Sequence, residues 1–142
     1  VDPLDKYRNA NELSGSELVD LLSQVGFTGK ALKIAWATAM KESRGHPKSH
    51  NDDASTGDDS YGLFQINMIG SLGTDRLKKF QQHGIDILNK KQLLDPVLNA
   101  EAVLYMTDGG TNWSSWGYGP GAYDGTSSEP VIEFWISKFP GK

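Results

Sequence analysis

The stretch TGKALKIAWATAMKES, residues 28–43, constrains the fold more than any other part of the chain. At helical spacing Lys30, Lys33, Lys41 and Arg44 share one wet stripe, interrupted by Ala37, and nearly every other position is apolar. A helix of that kind is packed on most of its sides, so the remaining sequence has to supply the elements that surround it. The helix closes on Glu42. Three, four and seven positions behind Glu42 stand Ala39, Thr38 and Ala35, small side chains that leave room beside its carboxyl group. Burying a carboxylate is costly unless it is paired, hydrogen-bonded or protonated. A carboxyl at an apolar helix end, facing a void and a polar loop, is expected to hold its proton near neutral pH and to give it to a leaving oxygen. The plainer alternative is a Glu that caps local amides or pairs with Lys41 or Arg44.

The surrounding elements are legible. Ser14 to Val25 opens with a serine three residues ahead of Glu17 and carries apolar residues at 18, 19, 21, 22 and 25, a capping-box start to an amphipathic helix that Gly26 ends. Residues 45–60, GHPKSHNDDASTGDDS, read as a polar loop. Tyr61 to Asn67, YGLFQIN, is rich in β-formers and predicts a short strand or hairpin arm. Residues 73–84 predict a helix capped by Thr74. Asp95-Pro96 predicts another, running to about Thr107 and stopping at Gly109-Gly110. Residues 111–125 promise no more than a turn, and SSEPVIEFWISKF a final helix with Trp135 in the core. The sum is about five or six helices and one small β element, a mostly helical α+β domain.

A chain of 142 residues fits one domain, 1–142, with a core large enough to stand without staples. Cysteine is absent, so neither disulfides nor a thiolate-bound metal hold the fold. A net charge of −4 with scattered lysines argues against nucleic acid as the main partner. No apolar run reaches the roughly 20 residues of a membrane span, and VDPLDKYRNA has no signal core. Because the chain starts with Val, it reads as a processed protein or a domain cut from something longer. His46, His50, Asp52 and Asp53 lie together in the polar loop, but an EF-hand loop would need a glutamate where Phe64 stands. No metal and no cofactor is expected.

Within YGLFQIN, Gly62 allows close approach of a backbone or ligand. On a straight strand Gln65 and Asn67 would share a face with Leu63, setting two amides side by side to recognise N-acetyl and hydroxyl groups; edge-strand amides bonded to loop backbone are the plainer alternative. NWSSWGYGPGAY places Trp113, Trp116, Tyr118 and Tyr123 among glycines, flat faces on which sugar rings stack, or simply core.

A Glu-Ser pair closing a helix, then a polar loop, then Gly-Leu-x-Gln-Ile-Asn, resembles the lysozyme superfamily, including soluble lytic transglycosylases and goose-type and C-type lysozymes. The resemblance implies a helical lobe beside a small β-hairpin or sheet, with Glu42 as the general acid. Ser43 matches the serine that often follows the acid in the transglycosylase branch. Gly62, Leu63, Gln65, Ile66 and Asn67 match the strand that lines the sugar cleft. Ser60, Tyr61, Gln65 and Asn67, with Trp113, Trp116, Tyr118 and Tyr123, are then the candidate sugar contacts.

The second catalytic group is equivocal. C-type lysozymes place a carboxylate immediately before the strand's Tyr-Gly, where this chain has Ser60. Asp58 shares a side with Ser60 in period two, so it is the first candidate for base or stabiliser, with Asp59 behind it. A route with no second carboxylate, in which the substrate's 2-acetamido group assists, stays open; the nearby aspartates favour hydrolysis. The resemblance thus implies a monomeric muralytic glycosidase acting on peptidoglycan glycan strands, outside the membrane. Its aromatic-rich late segment suggests a bacteriophage endolysin or tail domain. The alternative is a non-catalytic glycan-binding or structural virion domain with the same fold.

Overall fold

The computed structural model describes residues 2–120, 122 and 128–141. The apolar helix predicted from the sequence is α2 (Gly29–Ser43), with Ile34 to Ala39 all buried. Ala37, which interrupts the charged stripe, is fully buried as well. α1 (Gly15–Val25) packs on one side of α2 through Leu18, Leu21 and Leu22, and its capping box is made: Glu17 N donates to the Ser14 hydroxyl, and Ser14 N to the Glu17 carboxylate. α5 (Ser128–Ile136) packs on another side. Trp36 meets Trp135 and, beyond the helix, Phe139, edge to face at 6.2 and 5.6 Å. Trp135 differs from expectation in being only half-buried, and the Arg44 guanidinium lies 5.0 Å from its ring.

α4 (Pro96–Met106) runs through the centre. Asp95 caps it by accepting from Val97 N at 2.8 Å, with proline at the first helical position, as the sequence predicts. Ala100, Ala102 and Val103 are completely buried.

The loop expected over 45–60 contains structure. β1 (His50–Asp53) pairs antiparallel with β2 (Asp58–Tyr61), and β2 with β3 (Ile66–Asn67), giving a sheet in the order β1-β2-β3. In the register His50 faces Tyr61, Asp53 faces Asp58 and Ser60 faces Asn67. Asp, Asn and Ser are poor strand formers, which hid these strands; tertiary contacts override propensity here. Asp59, Ser60 and Tyr61 are buried, and the His50 ring stacks on Tyr61 at 4.1 Å.

The strand predicted over Tyr61–Asn67 is correspondingly broken. β2 ends at Tyr61, the chain reverses over residues 62–65, and only Ile66 and Asn67 are extended. Gly62 and Gln65 both adopt left-handed backbone, φ 76° and 52°. Gln65 and Asn67 therefore do not project together from one straight strand. α3 also starts earlier than predicted, spanning Gly70–Gln82, and Thr74 lies inside it. Gly73 is what lets this helix rest on the preceding segment, because a Cβ there would stand 2.0 Å from Met68 O.

Candidate active site

Glu42 occupies the last turn of α2, and its side chain is 20% exposed at the edge of a cavity of about 440 Å3. Gln65, Asn67, Leu72, Arg76 and Trp116 form much of the opposite wall. The carboxylate does not face an apolar void. Lys41 Nζ lies 2.6 Å from Glu42 Oε2, so the local pairing that the sequence left open is formed. Among the described residues that line this cavity, Glu42 is the only carboxylate.

Three buried polar side chains fix the end of α2 and the turn beside it. The Ser43 hydroxyl donates to Leu63 O at 2.8 Å, so the residue after the acid ties the end of α2 to residues 62–65. Asn99 of α4, fully buried, pins the same turn from below: its Nδ2 donates to Tyr61 O and Leu93 O, both at 2.9 Å, and its Oδ1 accepts from Phe64 N. Trp116 closes the third side by donating its indole N–H to Phe64 O at 2.9 Å. Gly62 is needed because of the crowding beneath it. A Cβ there would lie 2.2 Å from Leu93 O and 2.5 Å from Asn99 Nδ2, so the close approach is by protein and not by a ligand.

The predicted sugar contacts divide. Gln65, Asn67 and Trp116 line the cavity with Glu42. The amides of the first two are nevertheless taken up by the protein. Gln65 Nε2 donates to Ser49 O and Gly62 O, and its Oε1 accepts from Asn51 Nδ2. Asn67 Oδ1 accepts from Asp59 N and Ile69 N, and its Nδ2 donates to Gly57 O. They shape the turn and the hairpin, leaving their outer surfaces to the cleft. Trp113, 3% exposed, is core: it packs on Phe27 and Trp116 and donates to Gly110 O. Tyr118 lines a separate hollow with Trp113 and Ile34, and its hydroxyl donates to Glu133. Burial, then that carboxylate, pushes the Tyr118 phenol up to about 12. Tyr123 lies outside the described residues.

Asp58, Asp59, Ser60 and Tyr61 do not line the Glu42 cavity. Asp58 accepts the Ser60 hydroxyl. Asp59 is held by Lys90 Nζ at 2.6 Å and His50 Nε2 at 2.7 Å. Burial alone would raise the Asp59 carboxyl, but Lys90, His50 and Tyr61 outweigh it and bring it down to about 2. The same burial, followed by the Asp59 charge, raises the Tyr61 phenol. His46, considered above as a metal ligand, instead has Nδ1 2.9 Å from Ser43 O. No cluster of three or more metal-ligating side chains occurs among the described residues.

Sequence reasoning missed Asn99, Leu72, Arg76 and Met106, of which the last three line the cavity. A sharper reading of position would have found two of them, because Leu72 and Arg76 are one helical turn apart on the helix that leaves the strand motif.

An acid at the end of a buried helix, set against the turn of a small antiparallel sheet in a mostly helical α+β body, defines a protein of the lysozyme-like class. The family model described as Lysozyme like domain matches residues 19–118, and the chain belongs to that family. No curated protein and no solved structure matches it. Membership relates the chain, at the level of the superfamily, to glycosidases and transglycosylases that act on peptidoglycan. No helix among the described residues is long and apolar enough to cross a membrane.

Proposed function

We propose that this chain is a muralytic enzyme that cuts the β-1,4 bond between N-acetylmuramic acid and N-acetylglucosamine in peptidoglycan, with Glu42 as the general acid. The observation that carries this reading is the position of Glu42, the lone carboxylate among the described residues of a cleft built on the end of α2 and the 62–65 turn. Before it can donate a proton, the Lys41 ammonium has to swing off the carboxylate, which its flexible stem at the cleft rim permits, and the freed carboxylate has to take up a proton from solvent. Glu42 then protonates the leaving oxygen as the C1–O bond breaks, and the 2-acetamido oxygen of the muramic residue closes on C1.

The ionised Glu42 next takes a proton from the nucleophile that opens this intermediate. If that is the residue's own 6-hydroxyl, the product is a 1,6-anhydro sugar; if it is water, a reducing end. With Asp58 and Asp59 engaged in the sheet rather than lining the cleft, the first route is the better supported. In this reading the site of action is the wall outside the membrane, whether the protein is secreted or delivered by a phage as an endolysin or tail domain.

The Lys41–Glu42 contact favours a second reading, a glycan-binding domain without turnover. Glu42→Gln decides between them. The proposal expects the variant to lose clearing of cell-wall suspensions by about 100-fold or more while still binding glycan. Equal behaviour of variant and parent would leave only the binding domain. Mass spectrometry of the parent's products separates anhydro from reducing ends by one water.

A further inference from the structure

Across the Glu42 cleft and the hollow beside it, the charged side chains among the described residues cancel in pairs with one exception. Lys41 meets Glu42 at 2.6 Å, and Lys79 meets Asp75 at 3.1 Å. The remaining charge is Arg76, which lines both the cavity of about 440 Å3 and the adjoining one of about 350 Å3; Leu72 and Met106 are likewise common to both. Its guanidinium uses Nη1 to donate to Asn67 O at 2.7 Å, and no carboxylate among the described residues lies within ion-pair distance of it. Burial lowers its pKa, and the charge of Asp75 acts on it only at longer range. Anchoring one carbonyl needs one donor, whereas a guanidinium offers five in a planar fork matched to a carboxylate. Keeping an uncompensated cation half-buried is costly, and a bound anion would offset that cost.

We propose that Arg76 is the anion site of the cleft and receives a carboxylate carried by the peptidoglycan strand. This rests on the reading of the cleft as a glycan site. Two parts of the strand offer that chemistry: the lactyl carboxylate of a muramic residue stripped of its peptide, and the carboxylates of an attached stem peptide. Arg76 therefore selects charged wall glycan over neutral chitin-like chains.

Calorimetric titration in a non-cleaving Glu42→Gln, Lys41→Met background, which removes both members of the Lys41–Glu42 pair so that no second cation is freed, tests this with three probes of equal length. One is a chitooligosaccharide without carboxylates, the second a peptide-free muramic oligomer, and the third the same oligomer bearing stem peptides. At least one charged probe is expected to bind about tenfold tighter than the neutral one, the advantage fading in high salt. Arg76→Gln is expected to weaken the charged probe about tenfold more than the neutral one, erasing that advantage. Whichever charged probe is affected names the source of the carboxylate. Arg76→Lys, which keeps the charge and one donor to Asn67 O, is expected to lose part of it and carries the test if the glutamine variant does not fold. Equal loss on all three probes, or no loss on any, overturns the anion site without touching the catalytic proposal, which stands or falls on cleavage by the parent. Failure of all three probes to bind would overturn the anion site, and the catalytic proposal with it only if the parent also fails to cleave.

Discussion

Ser43 and Leu63, 20 positions apart, are joined by a single buried hydrogen bond in which the serine hydroxyl donates to the leucine carbonyl at 2.8 Å. The bond joins the last turn of α2 to the turn that follows β2, so it sets the distance between the candidate acid and the floor of its cleft. The same hydroxyl lies 3.2 Å from Ala39 O within its own helix, and this second, local partner survives if the turn shifts.

Ser43→Ala leaves Leu63 O buried and unsatisfied. The expected loss is about 1–3 kcal/mol of unfolding free energy, read from urea denaturation. Cleavage of wall suspensions is expected to fall below what the folded fraction accounts for, because the acid is no longer referenced to the turn. An activity that simply follows the folded fraction would confine Ser43 to stability.

Two glycines with left-handed backbone separate strain from crowding. At Gly62, φ 76°, an added Cβ meets Leu93 O at 2.2 Å and the Asn99 amide at 2.5 Å. At Gly57, φ 71°, it meets nothing within 4 Å. Gly57→Ala is expected to cost about 1 kcal/mol from backbone conformation alone. Gly62→Ala is expected to cost more than about 3 kcal/mol, since backbone and a fully buried amide have to move. Thermal melts of the pair check this, and similar midpoints would mean that the Asn99 pin is slack.

Trp113 and Trp116 sit 5.7 Å apart, and each donates its indole N–H to a buried carbonyl, Gly110 O and Phe64 O. Trp113→Phe and Trp116→Phe are both expected to lose about 1–3 kcal/mol through the orphaned acceptor. Only Trp116 lines the Glu42 cavity, so only its variant is expected to weaken chitooligosaccharide binding in a titration. Matching affinities for the two variants would remove Trp116 from the cleft.

The helices were legible because periodicity and caps are local. Ser14 with Glu17, and Asp95 with Pro96, carry their own start signals. The acid's place at the end of a buried helix could also be read, since Ala35, Thr38 and Ala39 stand beneath it in sequence. What stayed hidden depends on long-range partners. The β1–β2 pairing runs through Asp, Asn and Ser, residues whose propensity argues for loop, and is held by Lys90 from another element. The breaks at Gly62 and Gln65 follow from Asn99, 37 and 34 positions further on, which no window along the chain includes. Arg76 carries no local signal of a role, and only the placement of α3 sets it between two hollows.

Acid should loosen the sheet through Asp59. Lys90, His50 and Tyr61 hold its carboxyl at about 2 against the raising effect of burial, whereas in the unfolded chain it titrates near 3.9. The folded value is depressed, so its contribution is fully present above the unfolded value and disappears as pH falls through the folded one. Between about pH 4 and pH 2 the parent is expected to lose on the order of 2 kcal/mol from this group. Asp59→Asn removes the ionisation but keeps an acceptor for Lys90. It is expected to be less stable than the parent at pH 6 and to show a shallower decline below pH 4, the two urea-derived curves converging near pH 2. Curves that stay parallel down to pH 2 would show that Lys90 and His50 do not stabilise the Asp59 carboxylate, and that burial of Tyr61 and Ser60 holds β2 in place without it.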